Sequence, residues 1–189
     1  AGTYDVCGHG LRWERHQGLS FEAERDAIHS AYDTIGTLTG APPRGWYCRY
    51  APTQNTRRII VEHGGFLYDS DAYNDDLPYW VTCEGRSHLV VPYTQVMNDA
   101  KYIRGAVATG ASFHEILREQ FEVLYAEGET EPKMMTIGLH CRLTGHPFRS
   151  IALSRFLDEI ATRPDVWICR RVDIAHHWVE RYPVPSSKR

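Results

Sequence analysis

No stretch of this 189-residue chain approaches the roughly 18 consecutive apolar residues that a membrane-spanning helix needs. Its first residues also lack the basic, apolar and small-residue order of a secretory leader. No membrane partner is therefore expected, and a cytoplasmic location is. Long lysine or arginine runs are missing too: 21 basic residues face 24 acidic ones, a formal net charge of −3. Without a basic patch, nucleic acid is not an expected partner either. Cysteine is scarce and odd in number, with five thiols and no CxxC pair. Cys7, Cys48, Cys83, Cys141 and Cys169 read as reduced thiols rather than a disulfide framework, because most fall within apolar runs where free cysteine behaves as a small hydrophobe. Linkers, internal repeats and low-complexity segments are absent.

What is present is an alternation of short apolar runs and helical patterns. "TYDVCGHG", "GWYCR" and "GFLYDSD" read as strands. Between them Ser20 caps a helix whose apolar face carries Phe21, Ile28, Ala31, Tyr32, Ile35 and Leu38, and a second helix opens near 53–56 and ends at Gly64-Gly65. The segment "AYNDDLPYWVTCEGRSHLVVPYT" reads as a hairpin about Glu84-Gly85-Arg86, inserted at about 77–94 over a face of the fold. Ser112 and Glu115 form a capping box for a further helix. "KMMTIGLH" and "DVWICRR" read as two more strands, each followed by a helix. The order implies one continuous α/β domain over 1–189, with a parallel sheet wrapped by helices. About five βα units are present, against the eight of a complete barrel of roughly 250 residues.

The polar candidates collect at strand ends, where barrel enzymes place their chemistry. His9, Arg49, Asp69 with Asp71, His140 and Arg170 all lie there. His140 can act as a general acid or base near neutral pH, or bond loop carbonyls as a structural histidine. Arg49 can orient a carboxylate through its fork of donors, or form a surface ion pair. The stretch "DSDAYNDDLPYW" packs four aspartates, an asparagine, two tyrosines and a tryptophan into twelve positions. Its spacing is not that of a calcium loop. Tyr73, Asn74 and Asp75 are expected as ligand donors or acceptors and Trp80 as a wall, while some of the acids cap backbone amides. His176 and His177 are adjacent on a helix and point about 100° apart, so they cannot share a metal.

These residues resemble the polysaccharide deacetylase superfamily, and more closely its allantoinase and cyclic-imide-hydrolase branch. The matching pieces run in order along nearly the whole chain: "CGHGLRW", "RGWYCRYAPTQNTRRIIVEHGGFLYDSDAYNDDLPYW", "LVVPYT", "FEVLYAEG", "PKMMTIGLHCRLTGHPFR" and "VWICRRVDIAHHW". The resemblance implies a distorted (β/α) barrel and a homotetramer. It implies catalytic roles for His140, the general acid that protonates the leaving nitrogen, and for Arg49, which holds the catalytic aspartate. His9 matches the first histidine of the family's metal motif, and Trp13 stands where metal-dependent relatives carry the second. An indole has no lone pair to give a metal, so the implied enzyme uses no cofactor, with zinc through His9 the alternative.

Substrate contacts are expected from His9, Trp13, Tyr73, Asn74, Asp75, Trp80 and Arg142. The family's base lies in a Thr-Phe-Asp-Asp-like motif that this sequence does not contain. Either the chain is a C-terminal piece of the fold, accompanied by an N-terminal segment as a separate partner, or its site is incomplete; open sheet edges favour the former. The implied reaction opens a cyclic amide, allantoin to allantoate in purine catabolism. Its rivals are a cyclic imidase, a zinc-dependent N-deacetylase and a non-catalytic barrel subunit. Ser187-Lys188-Arg189 faintly resembles a peroxisomal address without its final leucine.

Overall fold

Local signals set most helix ends in the computed structural model, which describes residues 4–103 and 109–184. Ser187-Lys188-Arg189 lies outside them. In chain order the elements are β1 (Cys7–Gly8), α1 (Phe21–Thr39), β2 (Gly45–Trp46), α2 (Thr56–His63), β3 (Tyr68–Asp69), β4 (Tyr79–Cys83), β5 (Arg86–Val90), α3 (Asp99–Ile103), α4 (Gly110–Glu127), α5 (Cys141–Thr144), α6 (Pro147–Ile160) and α7 (Arg171–Arg181). Ser20 caps α1 by accepting the Ala23 amide at 3.2 Å, and Gly40 closes it at φ 78°. Gly64 ends α2 in the same left-handed conformation, at φ 75°. An L-residue would be strained at either point.

The chain packs as two compact units, 1–92 with 169–189 and 93–168. The first holds a five-stranded sheet in the order β1-β2-β3-β5-β4, parallel from β1 to β5 and antiparallel at the β4 edge. It is an α/β fold with a parallel-dominated sheet. β4 and β5 are the hairpin expected near 77–94, turning through Glu84 (φ 50°) and Gly85 (φ 70°). Two consecutive left-handed residues match the right-handed twist of the flanking strands. β5 hydrogen-bonds to β3, so the hairpin is part of the sheet and not a layer over its face. The core of this unit is Ile28, Ala31, Trp46, Cys48, Ile59, Ile60 and Phe66. Leu38, expected on the apolar face of α1, is instead 79 % exposed.

The second unit is helical. Phe113, Leu117 and Phe121 of α4 meet Phe156 and Ile160 of α6, with Met97 beside them. The helix α4 starts before the expected Ser112 box: Thr109, in extended conformation, caps it by accepting the Ser112 amide at 3.2 Å. Two expected strands do not form as such. "KMMTIGLH" makes a single parallel bridge, Asn98 to Gly138, and "DVWICRR" forms no ladder among the described residues, leaving Trp167 and Ile168 more than half exposed. An apolar run becomes a strand only where a neighbouring backbone takes up its hydrogen bonds.

Candidate functional site

In the first unit the strand ends hold an aromatic and arginine cluster. His9 directly follows β1. Its Nδ1–H donates to the Tyr47 carbonyl at 2.5 Å, and its ring stacks on Tyr47 with centroids 5.2 Å apart. Trp13, 59 % exposed, donates its indole N–H to the Tyr50 hydroxyl at 2.9 Å. The Arg49 guanidinium carbon lies 3.9 Å from the Trp13 ring centroid and 3.3 Å from that of Tyr50. Its Nε is buried and meets no acceptor among the described residues. Tyr50 adopts φ 71°, a conformation that costs a bulky residue about 1–3 kcal/mol and is concentrated at functional positions.

The acidic loop behaves in two ways. Tyr73 places its hydroxyl 3.3 Å from that of Tyr47, so that two phenols share one spot. Asn74 and Asp75, expected as ligand groups, are engaged by their own loop: Asn74 Oδ1 accepts the Tyr79 hydroxyl at 2.9 Å, and Asp75 Oδ1 accepts the amides of Asp76 at 2.8 Å and Leu77 at 3.2 Å. Trp80 donates its indole N–H to the Tyr182 carbonyl at 2.7 Å, which ties β4 to the end of α7.

Two aspartates at the end of β3 are treated differently by their neighbours. Burial alone would push the Asp69 carboxyl up, but His88 Nε2 at 3.1 Å and a two-pronged Arg57, at 2.7 and 3.0 Å, hold it below the usual carboxylate range. Asp71 is bonded to no cation among the described residues, and Arg57 acts on it only through space. Its Oδ1 accepts the Cys48 amide at 2.8 Å, while Oδ2 is buried without a partner among the described residues. Burial, with the Asp69 charge beside it, pushes the Asp71 carboxyl up to about 8.

A third buried group was not singled out from the sequence. Glu24, fully buried, accepts Thr53 Oγ1 at 2.6 Å and Thr56 Oγ1 at 2.5 Å, and lies 3.3 Å from His16 Nδ1. The signal existed: Glu24 occupies the i, i+4, i+7 stripe of Ile28 and Ala31, where a carboxylate needs partners.

The second unit contains the sequence's leading candidate. His140 N-caps α5. Its Nδ1–H donates to Asp99 Oδ1 at 2.6 Å, and its backbone amide donates to Asp99 Oδ2 at 2.8 Å. Thr144 Oγ1 donates to the same Oδ2 at 2.6 Å. Asp99 is fully buried and sits where the Asn98–Gly138 bridge brings 97–99 beside 138–140. Gly138 is required there, since a Cβ would overlap the Tyr93 hydroxyl. The carboxylate fixes the imidazole tautomer and ring orientation, leaving Nε2 to exchange a proton. Asp99 itself was not foreseen, because it lies 41 residues from His140. Arg142 is exposed on α5.

No family model matches the chain. A Schizosaccharomyces pombe protein that carries a polysaccharide deacetylase name is 38 % identical, over 95 % of this chain and 61 % of its own length. The crystal structure of Puue allantoinase superposes with a TM-score of 0.89 at 45 % identity, and covers 97 % of this chain and 61 % of that one. A Pseudomonas aeruginosa PAO1 structure, also described under polysaccharide deacetylase, has a TM-score of 0.89 at 44 % identity, over 97 % of this chain and 62 % of its own. Over the part it covers, the chain is similar to proteins described as polysaccharide deacetylases and to an allantoinase, which supports a place in that superfamily.

It spans under two thirds of the length of these relatives. Zinc is the metal the superfamily's deacetylase members imply, and the described residues do not fit it. Trp13 has no lone pair, and a guanidinium rests on that indole. No group of three or more His, Cys, Asp or Glu among the described residues is placed to hold a metal ion. The cysteines have no disulfide partners. Burial pushes the Cys7 and Cys48 thiols up to about 12 and Cys169 to about 11, so these three are poor nucleophiles. No helix of the described residues is long and apolar enough to cross a membrane.

Proposed function

We propose that this chain takes part in hydrolysis of a cyclic amide, with allantoin opening to allantoate as the leading reaction. The observation that carries the reading is the Asp99–His140 pair, with its short 2.6 Å contact to a saturated, buried carboxylate. Such a pair presents one ring nitrogen as a proton carrier, which is what the departing ring nitrogen of a hydantoin needs. In this reading His140 is the general acid and Asp99 holds it. Arg49 receives the carboxylate that activates water. In the first unit Tyr73 and Tyr47 present two hydroxyls at one spot, while Asn74 and Asp75 shape the loop that carries Tyr73. Donors arranged in advance around a developing oxyanion supply stabilisation that a metal supplies elsewhere.

The likeness to Puue allantoinase, at 45 % identity, supports cyclic-amide opening. The deacetylase name of the yeast relative, at 38 %, is what favours the rival reading, removal of an acetyl group from a sugar amine with zinc. Both are tested by one assay set, in which the purified chain, alone and with an N-terminal segment that supplies the missing base motif, is incubated with allantoin, a cyclic imide or an N-acetylated sugar oligomer, with and without a chelator. Allantoate formation insensitive to chelator is the expected result. Chelator-sensitive release of acetate instead would transfer the chain to the deacetylases. No turnover of any substrate, with the fold intact and the N-terminal segment present, would favour a non-catalytic subunit.

A further inference from the structure

Arg49 is held in an unusual way for a strand-end arginine. Its guanidinium lies against two aromatic rings, Trp13 at 3.9 Å and Tyr50 at 3.3 Å, while its buried Nε meets no acceptor among the described residues. The rings are tied to each other, because the Trp13 indole N–H donates to the Tyr50 hydroxyl at 2.9 Å. They are also tied down from below. Gln17 Nε2 donates to the Ala51 carbonyl at 2.7 Å, and the buried Glu24 gathers His16, Thr53 and Thr56. These contacts join the loop at 13–17 to the segment at 50–56, on either side of the Arg49 side chain. Tyr50 keeps its left-handed backbone, φ 71°, within this arrangement.

We propose that Trp13 and Tyr50 are positioning residues for Arg49: their rings fix the guanidinium plane, so that its N–H groups are set to receive a carboxylate. This deepens the reading of Arg49 given under the proposed function and rests on it. The physical need is plain. A carboxylate is gripped by two parallel N–H bonds only if the guanidinium plane is already oriented. A long side chain otherwise spends rotamer freedom on each encounter. Aromatic faces attract the cation without taking any of its N–H groups.

The inference also accounts for an indole at position 13. A histidine there offers a smaller face and, once protonated, a second positive charge beside Arg49. Trp13→His is therefore expected to loosen Arg49 rather than to create a metal clasp.

The test uses the full chain labelled with ¹⁵N-arginine, with the Arg49 Nε–H resonance assigned by its disappearance in Arg49→Lys. In the wild type that resonance is expected to be displaced by ring currents. Trp13→Leu should return it towards the position of a free arginine, and Trp13→Phe should largely keep the displacement. If Trp13→Leu does not fold, Tyr50→Leu is read by the same resonance. An Arg49 signal that is unmoved in a folded Leu variant overturns the proposal.

Turnover supplies the second readout. With allantoin as substrate, kcat should fall about tenfold in Trp13→Leu and less than about threefold in Trp13→Phe, with KM changing less than kcat. Equal losses in the two variants would also overturn it. A displaced resonance in a protein that does not open allantoin supports the positioning role and removes the substrate reading, so the two failures are distinguishable.

Discussion

Asp71 and Asp99 are both aspartates withdrawn from water, one in each compact unit, and they have been provided for in opposite ways. Asp99 takes three donors on its two oxygens, from the His140 amide, the His140 ring and Thr144. Asp71 takes one, from the Cys48 amide, and has Asp69 as its neighbour. The first is a carboxylate equipped to orient a histidine. The second is pushed up to about 8, so it holds its proton at neutral pH. Burial by itself therefore does not say what an acidic residue does; the donors and charges around it decide.

Four measurements break or sharpen this contrast. The largest effect is expected at the group Asp99 serves: His140→Ala should lower allantoin turnover on the order of 10²- to 10⁴-fold, with little change in melting temperature. Turnover unchanged by that substitution would remove His140 from the chemistry. Asp99→Asn comes next. Its amide nitrogen cannot accept the bonds that one carboxylate oxygen now takes, so kcat should drop roughly 10- to 100-fold, as when outer-shell partners of functional groups are lost.

Asp71→Asn should act on stability rather than on turnover. Because the folded carboxyl stands at about 8, far above its ordinary value, the native state holds a proton that the unfolded chain has already released between about pH 4 and 8. Stability should therefore fall as pH rises through that window. The variant should be more stable than wild type at pH 8.5 by on the order of 1 kcal/mol or more, and the two should converge below pH 4. Urea unfolding at pH 6 and pH 8.5 decides it: parallel curves for the two proteins would mean that Asp71 has no raised affinity for protons. The smallest effect belongs to the exposed loop, where Tyr79→Phe deletes one bond to Asn74 and should cost no more than about 0.5–1 kcal/mol in thermal unfolding. A larger loss would show that the loop is supported by more than its own turn bonds.

What was legible in the sequence was what short segments decide among themselves. Ser20 opens α1, Gly64 ends α2 and Glu84-Gly85 turns the hairpin, since each such signal acts on backbone groups within a few residues. His140 and Arg49 stood out because an apolar run stops beside each. Asp75 was expected as a ligand group, although the sequence did indicate that some acids of its loop cap backbone amides. The strands expected at 133–140 and 165–171 misled, because their apolar character says nothing about whether a partner backbone lies alongside. The Glu24 network drew on residues from three separate segments, and the pairing of Asp99 with His140 spans 41 positions.

The sequence alone determined the alternation of helices and apolar runs, the absence of long basic runs, and an indole at position 13, where the resemblance places a histidine in metal-dependent relatives. Only the tertiary structure decided what that indole touches: the Tyr50 hydroxyl at 2.9 Å and the Arg49 guanidinium at 3.9 Å. The reason is physical. Secondary structure and residue chemistry are set by bonds and contacts a few positions long, whereas orienting a charge requires groups that the chain brings together only after its distant segments have packed.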